Sequence, residues 1–159
     1  GMLFFVTYLG WGYSIIAGAM TLSIMILPLI MRTAEEALLS VPPSYKEASF
    51  GLGAGKLRTI FRIVLPAATP GILSGVILGI GRIVGETAAL IYTAGTVAKV
   101  PSGSDFMFDS GRTLAIHLYT LSSEGFNTNE AHATAVVLLV IVLLINLFSS
   151  RIAKRFVKG

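Results

Sequence analysis

The sequence predicts an all-α integral membrane protein, and three observations carry that prediction. Apolar residues make up 54% of the 159 and charged residues only 13%, and the mean hydropathy is +0.81, outside the ordinary soluble range. Three apolar runs, at 13–31, 68–95 and 133–150, match or approach the roughly 20 helical residues that cross a bilayer core of about 30 Å. Their polarity is continuous rather than alternating, so the backbone must be satisfied within helices and not in a closed barrel.

Residues 2–11 (MLFFVTYLGW) are apolar but too short to span. They lack a basic n-region and a small-residue cleavage site, so they do not read as a signal peptide. The stretch fits the outer end of a preceding helix, turned by Gly10 and Gly12, with Tyr8, Trp11 and Tyr13 at headgroup level. A genuine start at Met2 is the other reading. The first full span follows at 13–31, with Pro28 placed to kink it and free a carbonyl.

Residues 32–66 form an elaborate connector. Helix formers and two acidic residues in TAEEALLSV (Thr33 to Val41) predict a separate helix, which Pro42 and Pro43 stop. Ser44 and Glu47 at S-x-x-E predict a capping box opening a second helix. Gly51, Gly53 and Gly55 then predict a turn. From Lys56 onward Leu57, Ile60, Phe61 and Val64 fall at i, i+3, i+4 and i+7, opposite Lys56, Arg58 and Arg62, which predicts a short amphipathic helix lying on the membrane or on a protein.

The net charge of +4 reports topology rather than nucleic-acid binding. Nine basic residues flank the cytoplasmic side by the positive-inside rule, five in the connector and four after residue 150, against Lys99 and Arg112 between the second and third spans. This places 32–66 and the C-terminus in the cytoplasm and 96–130 outside. With no cysteine and with His117 and His132 far apart, no metal site is expected, and no cofactor or catalytic group is proposed. The glycines are no phosphate loop: a Walker pattern ending at Gly55-Lys56 needs Gly at the position of Phe50 and Ser or Thr at that of Leu57. The chain itself is not expected to hydrolyse ATP.

The run Glu47-Ala48-Ser49, Gly53, then Ile63-Val64-Leu65-Pro66 resembles the EAA loop of ABC-importer permeases, EAA-x3-G-x9-I-x-LP. Ser49 is its one departure, a small residue for a small one. The flanks LPLIMRTAEEAL (from Leu27) and PGILSGVILGIGRIVGETAALIYTAG (from Pro70) resemble PstA-type phosphate permeases, and with the last span the likeness covers essentially the whole chain. The resemblance implies a type I importer permease of MetI-like fold, here its C-terminal part with three full spans and the end of an earlier one, in a bacterial or archaeal inner membrane. It implies as partners a cytoplasmic ATPase dimer, a second permease subunit, an external phosphate-binding protein, phosphate itself and membrane lipid. Glu47, Ala48 and Gly53, with Leu57, Leu65 and Pro66, would be the ATPase-coupling residues: Glu47 to cap and orient, Ala48 to allow close approach, Gly53 to turn the chain.

At 100° per residue the second span places Gly71, Gly75, Gly79, Arg82, Glu86, Ala89 and Thr93 on one face. The glycines invite helix packing. A charge at membrane depth needs a partner or water, and two readings stay open for Arg82 and Glu86. They form an i,i+4 pair that locks packing, or Arg82 lines the path and meets phosphate with its guanidinium fork while Glu86 serves as gate or counter-charge.

The outer segment holds a regular stretch at 112–121 whose Leu114, Leu118 and Leu121 share one side, predicting a short interfacial helix. Asp105, Asp109, Arg112 and Glu124 are available to a binding protein or to solvent. A permease for another oxyanion or small solute is the nearest alternative function, since the loop identifies the machine and not the cargo. A membrane scaffold has no need of the Gly-Arg-Glu face, and an intramembrane enzyme needs more than Arg82 and Glu86.

Overall fold

The computed structural model describes residues 1–98, 100, 104–125 and 128–157, with the backbone alone at 124 and 153–157. The described residues contain helices and turns and no strand. Three helices are long and apolar enough to cross a membrane: α1 (Ile15–Leu39), a 29-residue helix that we label α3 (Lys56–Val84), and the apolar Thr128–Ile152 portion of α6 (Thr128–Val157). Shorter helices are α2 (Pro43–Gly51), α4 (Ala88–Ile91) and α5 (Leu114–Glu124). Two compact units are distinguished, one of residues 1–26 and 81–144, the other of 27–80 and 145–159.

In the first unit, Met2–Tyr8 winds as a wide helical segment. Its buried Phe5 stacks on Trp11 with centroids 5.5 Å apart, and Gly10 and Gly12 turn the chain with φ of 67° and 63°. The buried Ser14 then opens α1: its Oγ accepts the Ala17 N–H at 3.3 Å, a serine cap of the usual kind. Backbone bonds from Ser14 N–H to the Thr93 carbonyl and from Ile15 N–H to that of Asp109 tie this start to two later segments. The core below them is Leu22, Leu90, Ala94 and Ile116, with Met25, Ile83 and Ile91 packed against it.

The helix α5 is capped by Thr113, whose hydroxyl accepts the Ile116 N–H, and closes on Gly125 at φ 69°. It differs from the expected interfacial helix. The buried residues are Ala115, Ile116 and Leu121, while Leu114 is exposed. Ile116 faces Leu22, Leu90 and Ala94, and burying its branched side chain there outweighs presenting a leucine stripe outward.

The second unit is built on Ala37, Val41, Val64 and Ala68, with Leu38 and Ile72 against them. Here α1 corrects the sequence reading: it runs through residues 32–39 without a break, so Thr33 to Val41 is no separate helix. Good helix formers continue an already nucleated helix at little cost, whereas a new nucleus is expensive. The helix also continues across Pro28, which leaves only the Ile24 carbonyl without its usual donor.

The predicted capping box is absent as well. Pro43 occupies the first helical position and Pro42 the cap, with no side-chain cap bond. Proline's preset φ starts the helix one residue early, which moves Ser44 inside it. Likewise the amphipathic segment from Lys56 is not a free-standing helix but the beginning of α3. Its turn at Ile60–Val64 is wide, so the buried residues are Thr59 and Val64, five apart as i→i+5 winding dictates. Leu57 and Phe61, expected on the covered face, are 73% and 65% exposed.

Candidate functional site

The connector folds as a helical hairpin whose corner is built from glycine geometry. At the end of α2 the Gly53 N–H bonds the Phe50 carbonyl at 2.9 Å and the Ala54 N–H bonds that of Ser49 at 3.1 Å, with Gly53 at φ +79°. That bond pair is a Schellman closure, which requires a left-handed residue at the position Gly53 fills. Gly55, at φ −71° and ψ 160°, then leads into α3.

The side chains of α2 divide by burial. Glu47 and Ala48 are exposed, as are Tyr45 and Phe50, whereas Ser49 is buried. The Ser49 and Thr59 hydroxyls lie 2.8 Å apart. Among the described residues theirs is the only hydrogen bond between two side chains. Beside this pair lies a concavity of about 270 Å³, lined by Ser49, Leu52, Gly53, Ala54, Arg58, Arg62 and Ile63. Leu52, Leu57, Leu65 and Pro66 are all exposed. The hairpin therefore presents a mixed face of one carboxylate, apolar side chains and guanidinium groups, suited to a protein or to a lipid interface.

Along α3, Gly71 and Gly75 are set against α1. A β-carbon on Gly71 would lie 2.6 Å from that of Ala37, and one on Gly75 would overlap Thr33. Gly79 is buried too. Small residues let the two backbones approach closely enough for dispersion contact along the pair.

The structure does not bring Arg82 and Glu86 together on one helix. The expected continuous face through Thr93 is broken, because α3 stops at Val84 and the short α4 begins only at Ala88. Gly85 contributes little to helix stability, and Glu86 supplies a competing acceptor: its Oε1 takes the Ala89 N–H at 3.2 Å. Glu86 thus satisfies an N–H of the first turn of α4 from the residue before its Thr87 cap, and the one ion pair among the described residues is Arg32 with Glu36 at 3.5 Å. Arg82 is exposed at the end of α3. Thr93, expected on the same stripe, is buried and donates to the Ala89 carbonyl.

Of the outer candidates, Asp105 is exposed and Asp109 half-buried, and the side chain of Glu124 lies outside the described residues, as does Lys99. Arg112 borders an apolar cavity of about 510 Å³ with Ile15, Leu22, Leu90 and Ala94, and its Nε is buried with no hydrogen-bond partner among the described residues. Sequence reasoning missed the Ser49–Thr59 contact. It left no signal in the periodicity, because Thr59 falls with Lys56, Arg58 and Arg62 on the polar side of the expected amphipathic helix.

These features define a class: a multi-span helical membrane protein with a structured hairpin between two spans. The chain belongs to the family of binding-protein-dependent transport system inner membrane components, whose profile matches residues 1–159. It is 36% identical over 160 residues to a probable ABC transporter permease protein, YqgI, of Bacillus subtilis, covering 92% of this chain and 54% of the relative. It is 38% identical over 156 residues to the phosphate transport system permease protein PstA 1 of Mycobacterium tuberculosis, covering 94% and 48%. A probable phosphate transport system permease protein PstA of Methanocaldococcus jannaschii is 32% identical over 133 residues, covering 84% and 47%. The chain thus spans about half the length of these curated relatives. No solved structure matches it.

Proposed function

We propose that this chain works as the permease subunit of an ATP-driven phosphate importer, with the hairpin at 43–66 docking on a cytoplasmic ATPase and Arg82 meeting the anion. The observation that carries the coupling reading is the division of α2. Its motif residues Glu47 and Ala48 face outward while Ser49 and the Gly53 turn hold the helix in place, as a partner-seeking helix on a rigid mount requires. The phosphate reading draws support from relatives named for phosphate transport at 32–38% identity. It is also supported by an exposed guanidinium at the end of α3, with its neighbour Glu86 engaged elsewhere. ATP chemistry belongs in this scheme to the partner, and the membrane is a bacterial or archaeal inner membrane with the hairpin and C-terminus inside.

An importer of another oxyanion or small solute is the second reading, favoured by a Bacillus subtilis relative whose name specifies no solute. The test is uptake by cells carrying the full-length subunit. Arg82→Ala and Arg82→Lys should both lose phosphate uptake while the complex assembles, because a point ammonium lacks the fork that fits a tetrahedral anion. Normal uptake in both variants would remove Arg82 from the path. Loss confined to a different anion would move the cargo to the second reading.

A further inference from the structure

We infer that the Ser49–Thr59 hydroxyl pair is a clamp that makes α2 and the first turn of α3 move as one lever. This rests on the reading of α2 as the ATPase-docking helix. Along the chain, a push delivered to α2 reaches α3 through residues 52–55, and three glycines at 51, 53 and 55 make that corner the softest backbone in the hairpin. Beyond their chain neighbours and their own helix, no atom of the described residues lies within 4 Å of where a β-carbon on Gly51, Gly53 or Gly55 would sit, so side-chain packing at these glycines does not stiffen the corner.

The hydroxyl pair bridges it. Ser49 and Thr59 are 3% and 1% exposed, and their oxygens are 2.8 Å apart. Thr59 Oγ1 also reaches the Gly55 carbonyl at 3.2 Å. Its single proton serves that carbonyl, so Ser49 donates to Thr59, and the chain of bonds runs Ser49 to Thr59 to Gly55. Ser49 meanwhile accepts the Ala54 N–H through its own carbonyl. One residue therefore holds the corner from both sides, by main chain and by side chain. Both side chains are buried, and a hydrogen bond shielded from solvent is held more firmly than an exposed one. With alanine at position 49, as the EAA pattern has it, the Thr59 hydroxyl would lose its donor. Ser49 and Thr59 are thus positioning residues, acting through Glu47 and Ala48 on the exposed side of the same helix.

The test uses the complete transporter, with the full-length subunit, its partner permease and the ATPase, reconstituted in vesicles with Ser49→Ala, Thr59→Val, the double variant and Thr59→Ser. Two quantities are read: phosphate moved per ATP hydrolysed, and amide hydrogen exchange across residues 52–60. Both single variants should speed that exchange about tenfold and lower transport per ATP about three- to tenfold. The double variant should be no worse than the worse single one, and Thr59→Ser, which keeps the hydroxyl, should match the wild type. Unchanged exchange, or losses that multiply in the double variant, would overturn the clamp. If the wild type hydrolyses ATP without moving phosphate while exchange responds as expected, the phosphate reading falls and the clamp stands.

Discussion

Thr33 of α1 lies directly against Gly75 of α3: a β-carbon added at 75 would overlap the threonine hydroxyl and come within 2.7 Å of its Cβ. The hydroxyl is turned back on its own helix, donating toward the Leu29 and Ile30 carbonyls at 3.1 and 3.0 Å. The contact is steric, a small residue admitting a branched one.

Gly75→Ala should therefore destabilise the folded permease by about 1–3 kcal/mol, the usual cost of overpacking a close contact. Thermal melting of the purified full-length subunit in detergent measures it. Adding Thr33→Ala should recover part of the loss, because the overlapping atoms leave. An unaltered melting temperature for Gly75→Ala would contradict the close approach.

The corner glycines are expected to differ from one another. Gly53→Ala forces a β-carbon into the left-handed region at φ +79° and should cost about 1–2 kcal/mol. Gly53→Asn should cost less, since asparagine tolerates that region better. Gly55→Ala, at φ −71° with open space around it, should stay within about 0.5 kcal/mol. Equal losses at 53 and 55 would mean that backbone conformation does not distinguish them.

Glu86→Ala removes the acceptor of the Ala89 N–H and should cost about 0.5–2 kcal/mol, the range for a lost helix cap. Glu86→Gln keeps an oxygen in the same place and should stay close to wild type in stability. Melting of both variants decides the matter, and a loss for Gln equal to that for Ala would point to the charge instead of the hydrogen bond.

Glu47→Lys and Ala48→Leu alter only exposed positions, so each should leave stability within about 0.5 kcal/mol. Co-purification of the ATPase should nevertheless fall by about tenfold or more, as when a central contact residue is changed. Retention of the ATPase at wild-type levels in both would place the docking face elsewhere.

The membrane class and the glycine turn were legible because each rests on local chemistry. A long apolar run has no soluble alternative, and three glycines at alternate positions have few uses besides a corner. The position of Gly53 was legible from its spacing in the motif, and its role as the left-handed closure of α2 follows once the Ser49 and Phe50 carbonyls are seen to need partners. Element boundaries were less legible. Thr33 to Val41 carries the marks of a helix start, but whether such a segment nucleates or merely extends α1 depends on what precedes it in space. The stripe from Gly71 to Thr93 assumed one unbroken helix, whereas the helix ends at Val84 and Glu86, read as a membrane charge, accepts the Ala89 N–H of the next one.

Composition, periodicity and the motif by themselves determined that the chain crosses a membrane as helices and carries a hairpin of the EAA type, because hydropathy and spacing are properties of the chain alone. Which faces are covered was decided only by tertiary structure. The wide turn at Ile60–Val64 rotates Thr59 and Val64 inward and leaves Leu57 and Phe61 outside, and Arg82 is parted from Glu86 by a break in the helix. A single extra residue in a helical turn, or one carboxylate taking a backbone N–H, redirects every side chain beyond it. Such competition between nearly equal local bonds is settled by the packing of the whole and leaves no periodic trace in the sequence.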